Sequence, residues 1–241
     1  MLKATIWFMA LVVGAGLFGQ AVEKGAKAIF LDTQTGRMTM PMQARPAAAR
    51  QAAEAQAGSV QVPAITGLMY YLELLEPSGQ LVRVNSTRTF HSGDKVRLHV
   101  SSNVDGSLVI LQRQDQSAFE RLFPAASMPT LAAFVKKGVD TVLPTASGWF
   151  KFDERPGEIH LLMMLTAAAE SSRPAPVSFD DRAEMMLAFN KIQHGSKGLM
   201  IEADDSPKNG YEVRLIDSTR DKTLTPGQIV VEVKLQHRPR T

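Results

Sequence analysis

Residues 90–112 read FHSGDKVRLHVSSNVDGSLVILQ, and the period of their side chains decides the fold class. From Lys95 to Val100 polar and apolar residues alternate, with Val96, Leu98 and Val100 on one side and Lys95, Arg97 and His99 on the other. A two-residue repeat is what a strand with one packed face and one wet face requires. Asn103-Val104-Asp105-Gly106 follows, a cluster of turn-forming residues, and Leu108 to Leu111 then run on without alternating. The pattern predicts a hairpin whose second strand is buried on both faces.

The same reading extends in both directions. After the Pro156-Gly157 turn, Ile159, Leu161, Met163 and Leu165 fall on one side of a further strand. Phe150 and Phe152 also share a face; burial of each ring contributes roughly 1.5–3 kcal/mol, which favours core over ligand platform. Upstream, Leu68, Tyr70, Leu72 and Leu74 alternate, Pro77-Ser78-Gly79 turns the chain, and Leu81 to Val84 continues it. Downstream, Leu199–Ala203, Tyr211–Ile216 and Ile229–Leu235 read as strands, the last with Glu232, Lys234 and Gln236 on a wet face. The fold expected for residues 62–241 is mainly β, an antiparallel β-sandwich.

One α-helix is expected in the C-terminal half, at about 179–194. Ser178 with Asp181 makes a start resembling a capping box, and Lys191, His194 and Gly195 close the other end. Phe179, Ala183, Met186, Leu187 and Phe189 form its apolar face. Its methionines suit gap-filling in a core better than metal ligation.

An ordered set of short motifs carries a resemblance. Phe90 to Leu98, Asp105-Gly106, Leu122-Phe123-Pro124, Lys137-Gly138 with Leu143-Pro144, Phe152-Asp153 and Pro156-Gly157-Glu158 occur in sequence. Over about residues 90–165 the chain thereby resembles the bacterial domain of unknown function numbered 4384. The resemblance implies a β-rich accessory domain in extracytoplasmic proteins or in proteins with signalling or protease modules. It brings no catalytic residues. Ser107 departs from the aromatic residue that members usually carry after the Asp-Gly turn.

Composition narrows the function classes. The 241 residues carry 27 basic and 24 acidic side chains, a net charge of +3, with no Lys/Arg run of five, which argues against a nucleic-acid partner. Cysteine is absent, so disulfides, thiolate metal sites, thiol catalysis and a lipoprotein anchor are excluded. Lys3, the apolar run from Ala4 to Gly19 and then Gly19-Gln20-Ala21 have the three parts of a secretory signal. Residues 1–21 are expected to be removed, placing the mature chain in the periplasm or outside the cell; the alternative is an uncleaved segment anchored in the inner membrane. Gly14-Ala15-Gly16-Leu17-Phe18-Gly19 matches a dinucleotide fingerprint in letters but lies in this segment, with no βαβ unit around it. Residues 22–61 are expected to be a largely disordered tether, with a short strand at Ala28–Leu31 and Ala/Gln-rich chain from Gln43 to Gly58. Asn85-Ser86-Thr87 has the form of a glycosylation acceptor, but its triplet reads as chance.

Nothing in the mature sequence has the spacing of a nucleophile elbow, a phosphate loop or a zinc-binding helix. The five histidines, His91, His99, His160, His194 and His237, are scattered; His99 and His160 are expected to face solvent from strands, near enough to meet across a sheet. Acids cluster at Asp153-Glu154 with Glu158, and at Asp204-Asp205, beside turns where Asp serves the backbone. Lys136-Lys137 reads as a solvated turn. No catalytic, cofactor-binding or metal residue is assigned, and no cofactor is expected. The sequence favours an exported non-catalytic module binding a protein or cell-envelope partner through a sheet edge or loop-end surface. The alternative is an exported hydrolase acting on glycans, with a site among Asp153, Glu154, Glu158 and His160. The second requires two of those groups to converge in a cleft.

Overall fold

The computed structural model describes residues 25–34, 64–125, 133–168, 199–204, 210–218, 220 and 224–240. The expected signal at 1–21, most of the 22–61 tether and the helix at 179–194 lie outside them.

Two sheets form the domain. In the first, β1 (Ile65–Leu75) lies between β12 (Tyr211–Asp217) and β4 (Lys95–Ser102), with β11 (Leu199–Asp204) beyond β12 and β8 (Thr141–Leu143) beyond β4. β2 (Leu81–Val84) also pairs with β1, and β9 (Phe150–Lys151) with β4. The second sheet runs β3 (Thr89–His91), β13 (Gln228–Arg238), β10 (Gly157–Ala167), β5 (Gly106–Gln114), β6 (Glu120–Phe123), with β7 (Phe134–Val135) also on β5. Among the described residues the strands pair antiparallel except β3 with β13, and an isolated parallel bridge joins Ser102 to Lys137. Leu68, Tyr70, Leu72 and Leu74 of β1 and Val96, Leu98 and Val100 of β4 share one core with Leu108, Ile110, Leu161, Met163, Leu165, Val231 and Val233 of the second sheet. The mainly β sandwich expected from the alternating strands is therefore present.

Particular turns follow their residues. Pro77-Ser78-Gly79 joins β1 to β2; Gly79 has φ +83° and its N–H donates to Glu76 O at 2.8 Å. In Asn85-Ser86-Thr87 the Asn85 carboxamide accepts from the backbone N–H of Thr87 at 3.1 Å, a turn closed by its own side chain. Leu108 to Leu111 are all buried, as the unbroken apolar run requires. The prolines of Leu122-Phe123-Pro124 and Leu143-Pro144 both follow cis peptide bonds.

Two expectations are corrected here. β4 and β5 are not a hairpin: they belong to different sheets, and Asn103–Asp105 carries the chain from one to the other. Periodicity identifies strands but not partners, and here side chains direct the crossover. Asn103 is buried, accepts Gly67 N–H at 2.7 Å and donates to Ile65 O at 3.1 Å. Asp105 accepts the backbone N–H of Lys137 at 2.7 Å. Gly106 then enters β5 where a Cβ would strike Thr166 O of β10, so its lack of a side chain, rather than a positive φ, is what the position uses.

Ala28–Leu31 is not a strand. It lies within a helix, α1 (Ala26–Gln34), whose Ala26 and Phe30, four residues apart, are buried on one side. Phe30 packs with Ile65, Tyr211, Val213 and Leu215 on the outer face of the first sheet. A run of four apolar residues has no period of its own, and the one large contact available, a ring against a glycine-bearing sheet, is made by a helix. Gly67 makes room: a Cβ there would meet Leu215 and Phe30 side chains.

Candidate functional site

Three places gather polar or accessible groups, and the strand register explains each. On the outer face of the first sheet, β1 and β4 pair Tyr71 with His99 and Glu73 with Arg97. The Tyr71 and His99 rings are stacked, centroids 4.3 Å apart and planes 15° from parallel. His99 Nδ1 lies 2.8 Å from Asp140 Oδ2, and Tyr71 OH donates to the same oxygen at 3.2 Å. Burial, with the Asp140 carboxylate second, pushes the Tyr71 hydroxyl up to about 12. Arg97 donates through Nε to Gly148 O at 3.1 Å, contacts Glu73 at 3.4 Å and lies 3.8 Å over the Trp149 ring. Arg83 covers the other face of Tyr71 at 4.3 Å. Every charge in this array has a partner within it.

The second place is on the outer face of the second sheet. His160 Nε2 is 2.6 Å from Glu158 Oε1 and Nδ1 is 2.9 Å from Glu232 Oε1. Glu158 also accepts from Gln236 Nε2 at 2.6 Å. The expectation that His99 and His160 face solvent and approach one another is thus overturned. Both are buried, at 8% and 5% exposure, they belong to different sheets, and each is held by carboxylates: His99 by Asp140 and Glu73, His160 by Glu158 of its own strand and Glu232 of β13. Alternation correctly put them opposite the core; it carried no information about the acids that cover them.

Of the proposed hydrolase group, Glu158 and His160 meet. Asp153 does not join them: its carboxylate accepts the Arg155 backbone N–H and Nε, each at 2.9 Å, and these bonds hold it below the ordinary carboxylate range. Glu154 is exposed. His237 is buried at the end of β13, 3.1 Å from Ser92 Oγ and tilted against Phe152, while His91 is half-buried. His194 and Asp205 lie outside the described residues, and Lys136 and Lys137 are exposed. Among the described residues no three His, Asp or Glu side chains are grouped to hold a metal ion.

The third place is a cleft of about 730 Å³ between the sheets. Leu72, Val96, Leu98 and Phe150 wall it from the first sheet, and Leu122, Ile159, Leu161 and Leu235 from the second. That size falls in the range of ligand pockets, about 300–1,000 Å³. Its mouth is formed by the β5–β6 turn, with Asp115 and Ser117, and by the β9–β10 connection, with Asp153, Arg155 and Pro156. Asp115 accepts Glu158 N–H at 2.8 Å, and Gln114 Nε2 donates to Arg155 O at 2.7 Å, so the two connections are tied to each other. No pattern in the residues signals this cleft, because its walls are the same alternating side chains that elsewhere close the core.

No curated protein and no solved structure matches the chain. The folded unit is wider than the one segment that does match, since β4 and β10 take β1 and β13 as partners from beyond it. That segment, residues 89–169, matches the family model described as Domain of unknown function (DUF4384), the family its motifs resemble.

Proposed function

We propose that the chain is an exported, non-catalytic β-sandwich module that binds a protein or cell-envelope partner through the mouth of the cleft between its sheets. One observation carries this reading: His99 and His160 are engaged by carboxylates on the outer faces, while the cleft between the sheets has apolar walls and carries its acids, Asp115, Glu120 and Asp153, with no imidazole among the described residues that line it. An enzyme needs a nucleophile or an acid and base converging where substrate enters. Glu158 and His160 do converge, but with Glu232 and Gln236 completing their contacts. Apolar walls with a few polar groups at the rim suit recognition.

The test uses the full chain expressed in a bacterial cell with a photo-crosslinking amino acid at Ser117, at the cleft mouth, and separately at Ser78, on the β1–β2 turn. Adducts with one envelope component from Ser117 and none from Ser78, together with a mature N-terminus at Val22, are the expected result. Turnover of cell-wall polysaccharide that is lost in His160→Ala, with no adduct from Ser117, overturns the proposal in favour of the hydrolase.

A further inference from the structure

We infer that the cleft takes an extended peptide of a protein partner, one that presents an aliphatic and a basic side chain at alternate positions. The inference rests on the binding reading and names the chemistry of its ligand. Strand register decides which polar groups face the cleft. Leu161 and Ile159 face inward, and they pair with Gln112 and Gln114 of β5. Gln112 in turn pairs with Glu120 of β6, which places Glu120 on the inward side; the register then shifts between Leu111 and Ile110, so the period alone does not place Leu122 beside Glu120. Both line the cleft.

The other charges lining the cleft are engaged or turned away. Asp153 holds Arg155 through three contacts, and Asp115 accepts a backbone N–H. Arg113 pairs with His160, on the outward side of the second sheet, and lies 4.7 Å from the Phe119 ring. Lys151 pairs with Lys95, whose neighbours Val96 and Phe150 are the inward ones. Among the described residues, what remains inside is one exposed carboxylate, Glu120, beside apolar walls. A cation on an otherwise apolar ligand is the complement to that arrangement, and an anionic amphiphile is not.

An extended chain supplies both features together. Among the described residues β6 is the terminal strand of its sheet, and Glu120 and Leu122, two residues apart across the register shift, both line the cleft. A peptide lying along β6 sets residues i and i+2 beside them, one aliphatic at Leu122 and one basic at Glu120.

The test is an NMR titration of the isotope-labelled protein with the capped pentapeptide Ser-Leu-Ser-Lys-Ser, alongside counterparts with Glu in place of Lys and Ser in place of Leu. Shifts at Glu120, Leu122 and Ile159, and about tenfold weaker binding of each counterpart, are expected. Glu120→Lys lies on an exposed side chain and is expected to reverse the preference between the Lys and Glu peptides. Ile159→Trp fills the cleft and is expected to abolish binding of both, with thermal unfolding confirming that each variant folds. Equal affinity for the three peptides, no reversal in Glu120→Lys, or tighter binding of dodecanoate than of the Lys peptide overturns the inference. If Ser117 still crosslinks to an envelope component, only the peptide chemistry falls; if it does not, the binding reading falls with it.

Discussion

Tyr71 lies flat against His99, and both rings reach the same oxygen of Asp140, so one exposed loop carboxylate fixes two aromatic side chains on adjacent strands. Neither strand's sequence names Asp140 as the partner. The geometry nonetheless has a direct consequence for the alkaline behaviour of the fold.

Tyr71 titrates late. Its ordinary value is 10.0 and it is pushed up to about 12, by burial first and by Asp140 second. In the unfolded chain the hydroxyl ionises first, so the folded state loses stability as pH rises from about 10 to about 12, and none on this account below 10. Tyrosinate absorbance of the folded protein should show Tyr71 ionising near the upper limit, with Tyr70 held higher still by burial. Asp140→Asn should bring Tyr71 down, and Tyr71→Phe should flatten the alkaline arm of the stability curve measured in urea.

Gly106 and Gly79 separate two reasons for glycine. At Gly106 a Cβ meets the carbonyl of Thr166 in the paired strand, a backbone atom that cannot swing aside. Gly106→Ala should cost about 1–3 kcal/mol, the usual range for overpacking, and weaken hydrogen-exchange protection at the adjoining end of β10. At Gly79 nothing lies within 4 Å but φ is +83°. Gly79→Ala should cost about 1–2 kcal/mol through backbone strain alone and leave the protection of β10 unchanged.

Alternation made much of this fold legible. Val96, Leu98 and Val100, and Ile159, Leu161, Met163 and Leu165, face the core or the cleft as their period requires, and the unbroken Leu108 to Leu111 run is buried throughout. What the period could not supply was pairing. It did not show that β4 and β5 part into different sheets, because that choice rests on the long-range bonds of Asn103 and on the close approach at Gly106. It missed α1 because a nine-residue helix owes its place to Phe30 meeting Gly67, a contact across 37 residues of sequence. The candidate sites were harder still: Asp140, Glu73 and Glu232 become partners of histidines only through the tertiary fold, and the cleft is walled by strands of both sheets, far apart in sequence.

His160 and Glu232 should be coupled. The pair spans β10 and β13, with side chains 7% and 17% exposed, and Glu158 contacts the second ring nitrogen. A double-mutant cycle with His160→Gln and Glu232→Gln should give an interaction of about 0.5–3 kcal/mol. Because the groups are shielded, added salt should reduce it little. If the proposed binding reading holds, the same two variants should leave crosslinking from Ser117 intact, since the cleft opens on the other face of β10.

Asn103 ties three elements at once. Its Oδ1 accepts the N–H of Gly67 in β1, and its Nδ2 donates to Ile65 O and to Thr33 Oγ1 of α1 at 3.0 Å, all at 2% exposure. Asn103→Ala leaves a buried N–H without an acceptor, which costs about 1–3 kcal/mol before any loss of packing. Asn103→Asp is the sharper experiment. It keeps the acceptor for Gly67 but sets an acceptor oxygen against Ile65 O, so protection of the Gly67 amide should persist while α1, deprived of the bond to Thr33, becomes the first segment cut by protease. Faster cleavage of α1 in Asn103→Asp than in the parent, at unchanged exchange of the Gly67 amide, is the expected outcome; equal loss at both would mean that the bonds to Gly67 and to Thr33 do not act separately.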